Sequence, residues 1–201
     1  MAATEDRPRR GRGRRPAEQV RQEIVAAAGE VLFAEGMAGF TIDKVAGRSG
    51  ASKMTIYKWW PSKGTLALDG YFRRVEQRLE FPDTGDVEAD LRTQLHAFLG
   101  TIRDSPAGPV IAELIGQAQS DPDLKVAYLK HYSAPRRALA VSAMDTAKAR
   151  GQLRAGLDTE SVVDQLWGAC YHRLLLPDQP LTDAFVDTLV DNLFRGIAPK
   201  R

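Results

Sequence analysis

Cysteine is nearly absent: the 201-residue chain has one, Cys170. A single thiol cannot close an internal disulfide, which excludes a disulfide-stapled secreted scaffold and suits a reducing compartment, so a cytoplasmic location is expected. Histidine is scarce too, and His96, His131 and His172 are too scattered for a metal set. With no HxxxH or CxxC spacing, neither a metal nor a cofactor is expected. No apolar run approaches the roughly 18 residues of a membrane span. The arginine-rich start lacks the apolar segment that a secretory signal needs, so no membrane partner is expected. Phosphate-loop, nucleophile-elbow and GxGxxG patterns are all missing, which leaves catalysis as a remote reading. No segment alternates with period two long enough to be a strand, and no repeat of 20–50 residues is present.

Apolar material is plentiful. Hydrophobic residues make up 43% of the chain, enough to build a core without metal or disulfide staples. The net charge of +2 conceals an asymmetry. Residues 1–64 carry 12 Lys and Arg against 7 Asp and Glu, a net of +5, and residues 65–201 carry 16 against 19, a net of −3. A basic end beside a mildly acidic remainder points to nucleic acid bound at one end.

Six arginines lie among glycine and proline in residues 1–16, a composition that predicts a disordered basic arm. From Ala17 the spacing turns helical, with Val20, Ile24, Ala27, Val31 and Leu32 recurring at three- and four-residue steps. Gly36 is expected to cap this helix in the left-handed conformation. Thr41 is an N-cap for a second helix with Ile42, Val45 and Ala46 inward, Gly50 turns the chain, and Ser52 caps a third helix that Pro61 stops. Ser62 then caps a fourth helix running to about Leu79. Five further helices are expected over 86–104, 109–119, 122–150, 159–176 and 182–196, with Pro135 kinking the third of them. The expected fold is all-α, with about nine helices.

Helices two and three make a helix-turn-helix. Ala46 lets them approach, Gly50 makes the turn, and Ile42, Val45, Ile56 and Trp60 pack beneath. That leaves Lys53, Met54, Thr55, Tyr57 and Lys58 outward, groups suited to base edges and phosphates. Phe40-Thr41-Ile42, Val45-Ala46, Gly50-Ala51-Ser52, Thr55-Ile56-Tyr57 and the run from Pro61 to Leu66 resemble the DNA-binding domain of the TetR (tetracycline-repressor-like) family. The resemblance is close over residues 17–66, and residues 166–176 and 180–187 resemble one subgroup's effector domain. Gly47 departs from the more usual alanine.

By that resemblance Thr41 would contact phosphate, and Lys53, Met54 and Thr55 would face bases. Tyr57, Lys58, Trp59 and Lys63 would meet the backbone, and Ser52 belongs to the same DNA-facing set. The implied protein is a transcriptional repressor with a helix-turn-helix domain over 17–64 and an effector-binding and dimerisation domain over 65–201. It would bind double-stranded, palindromic operator DNA. A small apolar or amphipathic effector would enter a pocket among helices 86–176. Candidate lining residues are Phe98, Ile102, Tyr128, Tyr132, Met144, Trp167 and Tyr171: aromatics, a thioether and hydroxyls, with no matched pair of charges. Wide apolar stripes on helices 159–176 and 182–196 need either intrachain partners or a second copy, and a homodimer fits better. An effector domain that answers to a protein partner, or to no ligand, is the alternative; an open apolar cavity would favour the small ligand and a filled core the alternative.

Overall fold

The computed structural model describes residues 15–75 and 81–196. Among these there is no strand. The helices are α1 (Ala17–Gly39), α2 (Ile42–Ser49), α3 (Lys53–Trp59), α4 (Lys63–Val75), α5 (Val87–Arg103), α6 (Ala107–Ala118), α7 (Pro122–Tyr128), α8 (Ala134–Ala149), α9 (Thr159–Leu175) and α10 (Asp183–Arg195). A π-helical turn over Leu129–Ser133 joins α7 to α8, so the two form one bent rod and the expected total of nine holds among the described residues. Pro135 stands in the first turn of α8. Lacking an N–H, it cannot donate to the turn before it, and the backbone widens immediately upstream. Residues 1–14 of the arm expected over 1–16, and the predicted end of α4 at Leu79, lie outside the described residues. No described helix is long and apolar enough to cross a membrane.

Two cores organise the chain. The first gathers Ile24, Val31, Leu32, Phe40, Val45, Ile56, Trp60, Leu66 and Tyr71 from α1 to α4, together with Val110, Ile111, Leu114 and Leu124 from α6 and α7. Burying side chains of this size is worth about 1.5–3 kcal/mol each before entropy is counted. Where α1 crosses α4 the backbones nearly touch. A Cβ on Gly70 would lie 2.7 Å from the amide nitrogen of Gly29, and one on Gly29 would lie 2.8 Å from the Gly70 carbonyl oxygen. Only a glycine pair permits that approach, at a cost of about 0.5–1 kcal/mol each in helix propensity.

Gly36 does have positive φ, 65°, but its ψ of −179° is extended rather than left-handed helical, and a last turn continues to Gly39. The expected cap is therefore a kink within α1. The second core packs Leu91, Leu95, Phe98 and Leu99 of α5 against Ala140 and Met144 of α8, Val163, Leu166 and Cys170 of α9, and Val186 and Val190 of α10. Two long-range polar contacts fasten α6 and α7 to the first core: the Met37 amide donates to Glu113 at 3.1 Å, and the Ser62 hydroxyl donates to Asp121 at 3.2 Å.

Candidate nucleic-acid interface and adjoining cavity

Capping explains why α3 projects as it does. The Thr41 hydroxyl accepts from the Lys44 amide at 3.3 Å, starting α2. Gly50 ends α2 with φ 67° and ψ 19°, a left-handed conformation that side chains resist. The Ser52 hydroxyl accepts from the Thr55 amide at 3.1 Å and lies 2.9 Å from the Thr55 hydroxyl, so α3 begins at Lys53, three residues after Gly50. Ile56 is wholly buried and pins α3 to the first core. Trp60 is also buried, and its indole N–H donates to Asp69 at 2.8 Å.

The outer face of α3 carries Met54, 85% exposed, and Tyr57, 54% exposed. Lys53, Lys58 and Lys63 are exposed beside them, with Thr41 and Ser52, and Thr55 is half-buried. An apolar residue so exposed at the centre of a basic face suits a partner surface, such as a thymine methyl. Of the three lysines only Lys53 has a carboxylate partner among the described residues, Asp43 at 2.5 Å. That hydrogen bond and charge hold the Lys53 pKa above its ordinary value. Trp59 departs from the rest of the set: it is half-buried and meets Trp60 edge-on at 5.8 Å, leaving only part of its ring to a partner. The α2 cations Lys44 and Arg48 flank the face and did not figure among the expected residues. Lys44 is engaged by Glu35 and by the Gly39 carbonyl at 2.9 Å, and Arg48 lies 3.5 Å from Glu30. The one described arginine of the arm, Arg15, pairs with Glu23 and reaches the Gly50 carbonyl at 3.5 Å.

Residues 81–193 match the family description "Tetracyclin repressor-like, C-terminal domain", and residues 24–69 match "Bacterial regulatory proteins, tetR family". The chain belongs to the TetR family. Its relatives include the HTH-type transcriptional regulator YdeS of Bacillus subtilis, 37% identical over 92% of this chain and 93% of that protein. The DNA-binding transcriptional repressor TetR of Mycobacteroides abscessus is 33% identical over 85% of this chain and 89% of its own length. The crystal structure of the TetR family transcription regulator SCO0332 superposes with a TM-score of 0.83 at 56% identity, over 90% of this chain and all of that one. The chain is thus a DNA-binding transcriptional regulator with a helical C-terminal half, and not an enzyme.

Between the two cores of this TetR-family chain lies a cavity of about 260 Å³. Phe98, Tyr128, Tyr132, Trp167 and Tyr171 stand on its wall. Ile102 and Met144 do not: they are 4% and 0% exposed within the second core, because their helix positions face neighbouring helices. The wall is also more polar than expected. Arg136, Arg137 and Asp164 contribute to it, and Arg137 pairs with Asp164 and with Glu160 at 2.7 Å, so a matched pair of charges is present after all. The tyrosines form a cluster, with the Tyr171 hydroxyl 3.4 Å from that of Tyr132 and the rings of Tyr128 and Tyr132 5.4 Å apart. Burial pushes the Tyr128 hydroxyl up to about 12 and that of Tyr171 well above its ordinary value, which keeps both protonated at neutral pH.

Tyr132 also stacks on Phe72 of α4 at 4.8 Å and is counted in the first core. It therefore touches both the cavity and the helix that follows α3.

Proposed function

We propose that this regulator is a cytoplasmic, homodimeric repressor that grips a palindromic operator with α3 of each copy and releases it when a small apolar or amphipathic effector fills the cavity. Residues 17–64 would read the operator, and residues 65–201 would hold the effector and the partner copy. The observation that carries the reading is the meeting of two features on one helix. Only three residues separate α4 from the end of α3, and its Phe72 stacks on a tyrosine of the cavity wall. A ligand that moves Tyr132 would tilt α4 and carry Lys53 and Thr55 off the spacing of about 34–36 Å that successive major grooves impose. The open cavity favours a small ligand over a protein partner. In such a device effector and operator must weaken each other by the same factor.

Dimerisation is supported by α9 and α10. Val186 and Val190 turn inward, while Phe185, Leu189 and Leu193 stay half-buried and Leu175 and Leu176 are 40% and 60% exposed. Two copies that pair these stripes would form a four-helix interface and present two recognition helices to a two-fold operator.

The test is binding to an operator selected from random duplexes, followed by fluorescence anisotropy as salt is raised. Affinity should fall steeply, and Lys58→Ala and Lys63→Ala should each reduce the slope of log K against log salt by about 1 with little change in sequence preference. A slope that neither substitution moves would remove these lysines from the interface.

A further inference from the structure

The cavity wall carries an imbalance of charge. Its two arginines are adjacent in sequence, yet only one is neutralised. Arg137 takes up both nearby carboxylates, Glu160 and Asp164. Arg136 is half-buried and has no carboxylate partner among the described residues; its guanidinium lies over the Tyr132 ring at 4.7 Å. A guanidinium partly withdrawn from water and left without an anion binds a carboxylate more strongly than an exposed one does, because the surroundings screen it less. The remaining polar groups reinforce this bias. The hydroxyls of Tyr128, Tyr132 and Tyr171 point to the same aromatic cluster, and burial keeps Tyr128 and Tyr171 as O–H donors. Donors therefore outnumber uncommitted anionic acceptors, which disfavours a cationic guest.

Size narrows the class further. An apolar cavity of about 150 Å³ accommodates benzene, so about 260 Å³ suits a flat guest of roughly two rings. Aromatic rings supply the wall for it: Phe98 and Tyr171 lie 5.5 Å apart on one side, with Trp167 nearby beside Phe81 at 6.4 Å.

We propose that the effector is a flat, two-ring aromatic carboxylate whose anion docks on Arg136 while its rings lie among Trp167, Phe98 and the tyrosine cluster. This inference rests on the cavity being the effector site. The carboxylate draws the guanidinium off the Tyr132 ring, and Tyr132 is the residue stacked on α4, so charge recognition and release of the operator act through the same contact.

Calorimetric titration of the full-length protein with 2-naphthoate and with its uncharged amide tests the assignment. The acid should bind about tenfold or more tightly than the amide. Arg136→Gln should bring the ratio close to one while leaving amide affinity nearly unchanged, and Arg136→Lys should restore part of the preference. Equal binding of acid and amide to the unaltered protein, a preference that survives Arg136→Gln, or failure of the acid to bind each overturns the anion assignment. Gly168→Leu separates this from the cavity reading, because Gly168 lines the cavity and a Cβ there meets nothing within 4 Å. Loss of both probes in that variant keeps the cavity as the binding site whatever the acid-to-amide ratio; binding that persists in it overturns the cavity reading itself.

Discussion

The two halves of the molecule solve opposite packing problems. In the first, α1 and α4 are pressed together until Gly29 and Gly70 leave no room for a methyl group, and Ile24, Leu32, Phe40, Val45, Ile56, Leu66 and Leu68 are 0% exposed. In the second, α5, α8 and α9 diverge around open space, and α10 keeps four large apolar residues, Phe185, Leu189, Leu193 and Phe194, half-buried. A helix that must match the fixed dimensions of a DNA groove needs a frame that does not yield. A region that, on the proposed function, admits a guest and a second copy has to leave part of its apolar surface unsatisfied.

The sharpest way to break that contrast is one methyl group placed in each half. Gly70→Ala drives a Cβ into the backbone of α1 and should destabilise the protein by about 3 kcal/mol, read as a lower denaturant midpoint together with loss of operator binding. The same change at Gly168, where a Cβ meets only open space, should leave the midpoint unchanged or raise it by about 0.5–1 kcal/mol through helix propensity. Equal effects at the two sites would erase the distinction.

A second expected effect falls on the apolar stripe. In the proposed α9–α10 dimer interface, Leu189→Arg would bury an uncompensated charge and should weaken association about 100-fold, so that sedimentation at micromolar concentration finds a species near 22.1 kDa. An unaltered dimer would place the interface elsewhere.

The smallest effect concerns how α10 is tied to α5. Arg92 lies 2.9 Å from both Asp187 and Asp191, and His96 bridges Asp183 and Asp187 at 3.1 and 2.9 Å. Arg103 and His96 hold the Asp183 carboxyl below its ordinary value, and His96 and Arg92 do the same for Asp187. A depressed carboxyl stabilises the fold above the usual carboxylate pKa of 3.8 and loses that contribution as pH falls through its lower folded value. The protection factors of α10 amides, exchange rates corrected for the intrinsic pH dependence, should therefore be flat from neutrality to about pH 5 and fall modestly below it, since these groups are exposed and well screened. Loss of protection already at pH 6 would argue that the carboxylates are not what ties α10 down.

Legibility in the sequence differed between the halves for the same physical reason. Helix periodicity, the caps at Thr41, Ser52 and Ser62, and the glycine turn at Gly50 are local signals, and they located the recognition helix and the residues on its outer face. Trp60 could be assigned inward because it follows the buried Ile56 by one turn. The lysine paired with Asp43 could not be told from its free neighbours, since that contact joins two different helices.

A cavity leaves no periodic trace. Large apolar residues on α5, α8 and α9 look alike whether they end on a wall or in a core, and so Phe98 lines the space while Ile102, one turn further along the same helix, does not. Arg136 and Gly168 did not figure among the expected lining residues. The available signal was spacing: Arg136 lies four residues after Tyr132, and Gly168 stands between Trp167 and Tyr171.

Tyr132 serves two masters, as a buried member of the first core and as part of the cavity wall. Heritable variation at this position is doubly constrained. If the cavity is the effector site proposed above, a lineage adapting to a new inducer has latitude at Trp167 or Gly168, where a change would alter the guest without touching the frame around α3. On the same reading a change at Tyr132 would alter chemical selectivity and the seating of α4 together, so descendants that trade one inducer for another are expected to diverge at the former positions and hold this tyrosine fixed.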